Sequence, residues 1–409
     1  MHGCGHDGTA SEQRSGGAVD LADIIRVHGP VLRRLHPLTS EQTAALRDIE
    51  RCRTTALGGH LDVCTDCGHS KPSYNSCRNR HCPKCQALRQ AEWVESRVAR
   101  TLPTHHFHAV FTLPAELRAL ASLHPELVYD LLFACASTTL LELGRDSKRL
   151  DGQLGITAVL HTWTRELALH PHVHCIVTGG ALSADGTQWH SARPDFLFPV
   201  AVMRKLFRGK VLDALKQANE QGRLQRPDGR PWLEPAELRR LMRKLGRVKW
   251  VVYCKRPFGG PEQVIRYLGQ YTHRVAISNS RLVSVDERGV TFKTRDGNTA
   301  TLEPVEFLRR FVQHVLPARF VKIRHYGLMA AGNVHRRWKT ARALLDALNP
   351  SRPANTGPQD KPAHEPKDWR SSLLELTGTD MRRCPACGKL AVVRRPLPDS
   401  RAPPLLEAA

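Results

Sequence analysis

The chain has 409 residues, with 61 Lys and Arg against 39 Asp and Glu and a formal net charge of +22. That length suits two or three domains with a sizeable apolar core, and basic residues spread along the whole chain point to a polyanionic partner, nucleic acid ahead of a membrane. No run of about 18 apolar residues and no basic-then-apolar leader is present, so the expectation is a cytoplasmic, nucleoid-associated protein without a membrane span.

Residues 1–20 are small and polar and are expected to form a disordered tail. Thr39-Ser40-Glu41-Gln42 has the spacing of a capping box and opens the first expected helix, which carries Ala44, Leu46 and Ile49 toward Cys52. Between Cys52 and Cys85 periodicity disappears while Cys, His and Gly become dense, which reads as a loop-rich module held by metal, left by a helix starting near Gln86. Cys64-Thr65-Asp66-Cys67 and Cys82-Pro83-Lys84-Cys85 are two CxxC turns, each able to supply two thiolates. They are expected to share one structural zinc site, closed by four protein ligands. Cys52, His60, Cys77 and His81 remain for a second, Cys2His2 set. Of the chain's 12 cysteines, the six from Cys52 to Cys85 and the pair Cys384 and Cys387 form a pattern that reads as zinc rather than disulfides in a reducing compartment. Tyr74, Arg78, Asn79, Arg80 and Lys84 stand among these ligands, and Arg78, Arg80 and Lys84 are the candidate DNA contacts.

His106 to Thr112 reads as a strand ended by Pro114, followed by a Leu-rich helical region to about Leu143 and by two strands starting at Gly155 and His172. In a strand from His172, alternation puts His172 and His174 on one face and Val173, Cys175 and Val177 on the other. A short connection can bring His161 of the preceding strand level with that pair. Three imidazoles with coordination positions left over form a catalytic arrangement rather than a structural one. His170 falls on the same face but ranks behind His161, because Pro171 is expected to mark the start of the strand. Residues 194–247 read as helical and strongly basic, Trp250 to Lys255 as a strand, Pro261 to Tyr271 as a helix and 281–303 as a hairpin region. After about Asn333 the composition drifts to that of a linker ending in Cys384-Pro385-Ala386-Cys387-Gly388, whose two thiols make a half site, a remnant, or a pair completed by a partner.

Tyr267 and Tyr271 lie one helical turn apart, which places both on one face with about 6 Å between their β carbons. They could merely edge the apolar stripe of Val264 and Leu268. The chemical alternative is that each phenol, with a pKa near about 10, attacks a phosphodiester whose oxygens a divalent ion polarises. The tyrosine would then carry the DNA 5′ phosphate while a 3′ hydroxyl leaves. A phosphotyrosine ester keeps about the free energy of the diester it replaces, so rejoining needs no ATP, and no GxxxxGK[ST] occurs. Arg266, His273 and Arg274 flank the tyrosines and are candidates for contacts to the scissile phosphate or its neighbours. Three imidazoles tolerate Mn²⁺ and other transition ions, and Mg²⁺ is the other candidate.

The ordered set YNSCRNRHCPKCQ, FTLP, HTW followed by HPHVHCIVTGG, YLGQYTHRVAISN and FVKIRHYG resembles the transposases of the IS91 family, members of the HUH single-strand nuclease superfamily. The similarity spans about residues 40–335. It implies an α+β fold: an HUH nuclease domain with a central antiparallel sheet and flanking helices, preceded by a small zinc-binding domain. The implied domains are a zinc-binding, DNA-binding unit at 21–100, a catalytic unit at 101–335 and a basic linker and tail at 336–409. His172 and His174 match the HUH metal ligands, Tyr267 and Tyr271 the paired nucleophiles, and His161 the additional ligand upstream of HUH in related relaxases. The implied reaction is nicking and joining of single-stranded DNA at element ends and target in rolling-circle-type transposition, with one or two structural Zn²⁺ and unwinding left to a host helicase. The alternatives are a plasmid rolling-circle replication initiator or relaxase and, from another class, a non-catalytic zinc-dependent DNA-binding protein.

Overall fold

A computed structural model describes residues 19–226, 228–255, 261–272, 276–295, 297–348 and 369–397. Residues 1–18 of the expected tail, His273 and Arg274 lie outside them, as do the side chains of Tyr267 and Tyr271. In chain order the elements are α1 (Leu21–Leu35), α2 (Ser40–Arg51), β1 (Gly59–Cys64), β2 (Ser70–Tyr74), α3 (Ala87–Ala99), β3 (His106–Thr112), α4 (Arg118–Leu123), α5 (Pro125–Arg145), β4 (Gly155–Trp163) and β5 (Leu169–Thr178). There follow β6 (Gly180–Leu182), β7 (Trp189–Ser191), α6 (Val200–Glu220), α7 (Pro235–Arg247), β8 (Val251–Lys255), α8 (Pro261–Thr272), β9 (Leu282–Asp286), β10 (Gly289–Lys293) and β11 (Thr299–Leu302). The last are α9 (Pro304–Val312), β12 (Ile323–Gly327), α10 (Ala331–Asn333), α11 (Lys339–Leu348), α12 (Trp369–Thr377) and β13 (Val392–Pro396).

The centre is a five-stranded antiparallel sheet in the order β12-β4-β5-β3-β8. Alternation gives it two chemically different faces. Phe107, Ala109, Phe111, Leu160, Val173, Cys175 and Val177 point to the back, where α5 and α6 cover them in the largest apolar cluster. Phe111 meets Phe207 of α6 edge-on, with ring centroids 5.0 Å apart. Helix α5 is, among the described residues, the one helix long and apolar enough to cross a bilayer, but most of its apolar surface is buried in this core. The front face carries His106, His108, His161, His172, His174 and His325 among a few apolar residues.

Helices α3 and α8 lie over part of that front face, burying Val94, Ile265 and Leu268 against Val159 and Ile176. Their close approach depends on Gly269, where a Cβ would stand 2.4 Å from Val94 Cγ2. A second unit joins α1, α2, α9 and the β11-β10-β9 meander around Ile25, Leu46, Phe292, Phe307 and Phe311, and it includes Cys52, Cys82 and Cys85.

The fold departs from the sequence expectations at the ends. A helix, α1, precedes the Thr39 capping box; Asp20 caps it by accepting from Ala22 N, and its carboxylate is held by Lys84 and Asn279. The capping box itself forms, through Thr39 and Gln42. The Cys52–Cys85 segment contains a β hairpin, β1 and β2, rather than loops alone. Beyond Asn333 the chain continues as helix, with Trp338, Ala341 and Leu345 buried against Leu102, Leu182 and Trp189. Strand β13 then returns to pair with β1.

Candidate active site

The β4–β5 register sets His161 directly across from His172, and His174 is the next residue on the same face. One ring nitrogen from each of these three side chains lies within 4.8 Å of the others. The ring centroids are 4.3 Å apart for His161 and His174, 4.9 Å for His172 and His174, and 5.4 Å for His161 and His172. Strand β5 begins at Leu169, so Pro171 does not mark its start and His170 belongs to the strand. The role of His170 is different from ligation: its carbonyl accepts from His172 Nδ1 at 2.6 Å, which fixes that ring and leaves Nε2 to face the cluster.

His174 is fixed in the same manner by a residue that pattern reading passed over. His108 Nε2 lies 2.8 Å from His174 Nδ1, with the two rings stacked at 5.1 Å and 13°. In the tautomer where His174 Nδ1–H donates to His108, Nε2 of His174 is the available ligand atom. The only sequence signal was the alternation of His106 and His108 on a strand whose partner was not yet known. Tyr253 of β8 meets His108 edge-on at 6.1 Å, and the Lys255 ammonium sits 5.6 Å from the Tyr253 ring centroid. Both project from an edge strand beside the histidines, and Tyr253 is 42% exposed.

Burial keeps these imidazoles neutral, the state metal binding requires. It pushes His172 and His108 down to about 4 and His161 and His174 well below the usual histidine range, with neighbouring imidazoles adding to the effect for His161 and His174. Burial also drops Lys322 to about 7, assisted by Arg80; its ammonium lies 4.9 Å from the Trp163 ring centroid, and Trp163 in turn stacks on His161. A neutral three-imidazole set with two of its rings oriented by second hydrogen bonds fits a divalent ion with open positions.

Helix α8 brings the tyrosine positions to this face. Its Ile265 lies near Ile176 and Thr157 at one end of the sheet. Ala276 and Ile277, just past its end, join the cluster of Leu167 in the β4–β5 turn at the other. Ile265 and Leu268 thus seat α8 on the front face against Val159 and Ile176, each two residues from a histidine of the cluster. Arg266 is exposed on this helix.

The cysteines sort differently from the expectation. Cys52, Cys77, Cys82 and Cys85 form one cluster, with Cys85 Sγ 3.4 Å from Cys52 Sγ and 3.6 Å from Cys77 Sγ, too far apart for disulfides. Cys64 and Cys67 join Cys384 and Cys387 instead of Cys82 and Cys85. His60 and His81 belong to neither group. His60 is taken into strand β1, while both ring nitrogens of His81 are used, Nδ1 with Asn79 Oδ1 at 3.0 Å and Nε2 accepting from Leu316 N at 3.2 Å. Two expected DNA contacts are likewise spent inside the molecule. Arg80 donates to the carbonyls of Phe320 and Pro317, and Lys84 binds Asp20 at 2.6 Å. Arg78 stays exposed.

Comparison with known proteins decides the family. A family model described as "Putative transposase" matches residues 155–337, and one described as "Transposase zinc-binding domain" matches residues 24–113. A putative transposase, y4qJ, of Sinorhizobium fredii (strain NBRC 101917 / NGR234) is 45% identical over 376 residues, 90% of this chain and 92% of that protein. The chain belongs to the IS91 family of transposases. The transposase for insertion sequence element IS801 of Pseudomonas savastanoi pv. phaseolicola is 30% identical over 306 residues, 71% of this transposase and 72% of its relative. Among solved structures, the metal-bound conjugative relaxase TrwC in complex with oriT DNA aligns over 58% of this transposase and 96% of that chain, at 14% identity and a TM-score of 0.25. A score that low does not equate the two folds.

Proposed function

We propose that this IS91-family transposase nicks and joins single-stranded DNA at the ends of its element through a 5′-phosphotyrosine intermediate, in rolling-circle-type transposition. The observation that carries this reading is the His161, His172 and His174 cluster on the face of the central sheet against which α8, the helix of Tyr267 and Tyr271, packs. A divalent ion, Mg²⁺ or Mn²⁺, held by those three imidazoles would polarise the non-bridging oxygens of the scissile phosphate. His170 and His108 hold two of the ligand rings in orientation. Tyr267 or Tyr271 is the nucleophile: its Oη forms the bond to phosphorus, the bond to the 3′ oxygen breaks, the phenolic proton passes to solvent and the departing 3′ oxygen takes one up. The second tyrosine, one turn away, stands ready for a further strand, and an incoming 3′ hydroxyl reverses the step on a new end. Arg78 and Arg266, both exposed, with His273 and Arg274, are the proposed backbone contacts.

The test is incubation of the purified transposase with single-stranded DNA of the element's ends, labelled at either terminus, with Mn²⁺, Mg²⁺ or chelator. The proposal requires a denaturant-stable adduct on the fragment whose 5′ phosphate was exposed, a free 3′ hydroxyl on the other, and no adduct with chelator. Hydrolysis without an adduct, or an adduct on the 3′ side, contradicts it.

A further inference from the structure

Cys64 and Cys67 lie in the N-terminal module, and Cys384 and Cys387 lie near the other end of the chain, yet the four Sγ atoms fall within 4.8 Å of one another. Sγ of Cys64 is 3.7 Å from that of Cys387, and Sγ of Cys67 is 3.6 Å from that of Cys384. Four thiolates at about 2.3 Å from a zinc ion stand about 3.8 Å apart in a regular tetrahedron. A disulfide would require about 2.05 Å. The spacing is that of a metal cage.

The two CxxC turns are also conformational copies. Gly68 N donates to Cys64 O at 3.1 Å, and Gly388 N donates to Cys384 O at 2.9 Å. Cys64 N donates to His69 O at 2.9 Å, and Cys384 N to Lys389 O at 2.8 Å. Gly68 and Gly388 both have φ of 74°, the left-handed conformation that glycine takes without penalty. Two such turns facing each other, each aiming a pair of thiols at a shared point, build a four-ligand site from two sequence fragments.

The surrounding structure locks the fragments together. Strand β13 pairs with β1 from His60 opposite Pro396 to Cys64 opposite Val392, completing the sheet β13-β1-β2. Arg394 binds Asp62, directly opposite it, through two hydrogen bonds of 2.7 and 2.8 Å. Lys389 binds Asp66 of the facing turn at 2.8 Å, and Thr65 N donates to Ala391 O. Little apolar material is buried here: Leu390 and Val393 are exposed, and Cys384 and Cys64 are the buried apolar residues of the unit. A three-stranded sheet without a core needs another source of stability, and a bound metal would supply it.

We propose that Cys64, Cys67, Cys384 and Cys387 bind a second Zn²⁺, distinct from the one at Cys52, Cys77, Cys82 and Cys85, and that this ion clasps the C-terminal segment onto the N-terminal module. The C-terminal CPACG segment is then half of a zinc ribbon rather than a tail. Zinc binding at this place is independent of the nicking chemistry.

The experiment is zinc content per chain, measured on the full-length protein by mass spectrometry of the metal after dialysis against apo-buffer. Every sample carries His161→Ala/His174→Ala, so that the imidazole site takes up no zinc, and in that background the wild-type cysteines are expected to hold two Zn²⁺. Cys384→Ser/Cys387→Ser is expected to hold one, Cys64→Ser/Cys67→Ser to hold one, and the quadruple variant still one, because both pairs share an ion. Cys384→His, which keeps a ligand, is expected to retain two and controls for misfolding. One Zn²⁺ with the wild-type cysteines, two in Cys384→Ser/Cys387→Ser, or loss of both ions only when the pairs are combined would each overturn the proposal.

Discussion

Replacing Gly269 by Ala tests how tightly α8 is set against the rest of the site. By helix propensity alone the change favours the helix by about 0.8–1.0 kcal/mol. The structure opposes it, because the new Cβ would stand 2.4 Å from Val94 Cγ2, a contact that must open by about 1 Å to become ordinary. Val94 is buried among Val159, Ile176, Ile265 and Leu268, so it has little room to yield. Overpacking of this kind costs about 1–3 kcal/mol, and the net expectation is roughly 1 kcal/mol of local destabilisation, about a fivefold rise in opening. Native-state hydrogen exchange of α3 and α8, read by mass spectrometry, isolates this local term in a chain whose several units do not unfold as one. The decisive comparison is the Val94→Ala background, where the obstructing methyl is gone. There Gly269→Ala should slow exchange, reversing its sign. Equal effects in both backgrounds would refute the packing argument.

The same geometry sets three further expectations. His108→Ala removes the partner that orients His174 and should weaken Mn²⁺ binding by about 10–100-fold in calorimetry, with His108→Gln recovering part of it; an unchanged affinity would remove His108 from the site. His81→Ala leaves the buried Leu316 N–H without its acceptor, at about 1–3 kcal/mol, and should raise exchange around residues 315–321 while leaving zinc content intact; loss of zinc would restore His81 as a ligand. Buried neutral histidines make the apo-protein sensitive to acid. His106, His108, His172, His314 and His325 are held at about 4 and His81 at about 3, against an ordinary histidine value of 6.5, so the unfolded chain binds more protons as pH falls below that value. Stability should be intact above about pH 6.5 and decline through pH 4; a urea midpoint flat across that interval would contradict the burial.

The sequence made the centre of the molecule readable because on β5 and β3 the histidines alternate with apolar residues, and strands of period 2 put the two sets on opposite faces. His172 and His174 were visible for that reason, and His161 because a short turn fixes which residues stand opposite. His108 was hidden because its partner strand is separated from it by α4, α5 and β4, and nothing in the local pattern says that β3 pairs with β5. The cysteines misled through proximity: Cys64 and Cys67 are closer in sequence to Cys82 and Cys85 than to Cys384 and Cys387. A finer signal was present. CTDCGH and CPACGK share the glycine that follows the second Cys, whereas CPKCQ has Gln86 in the same left-handed conformation. Arg80 and Lys84 were read as DNA contacts because charge in a sequence looks outward; only the fold reveals that backbone carbonyls and Asp20 receive them. The helices after Asn333 were masked by flanking Pro and Arg residues, although Trp338, Ala341 and Leu345 keep helical spacing.

The measurement that bears most directly on the central claim is adduct formation on single-stranded element ends by wild type, Tyr267→Phe, Tyr271→Phe and the double variant, with Mn²⁺ binding measured in parallel. The expected result is a double variant that binds metal and DNA like wild type yet forms no covalent adduct, while at least one single variant retains adduct formation through the remaining tyrosine. An adduct that persists in the double variant would contradict phosphotyrosine chemistry at these two positions.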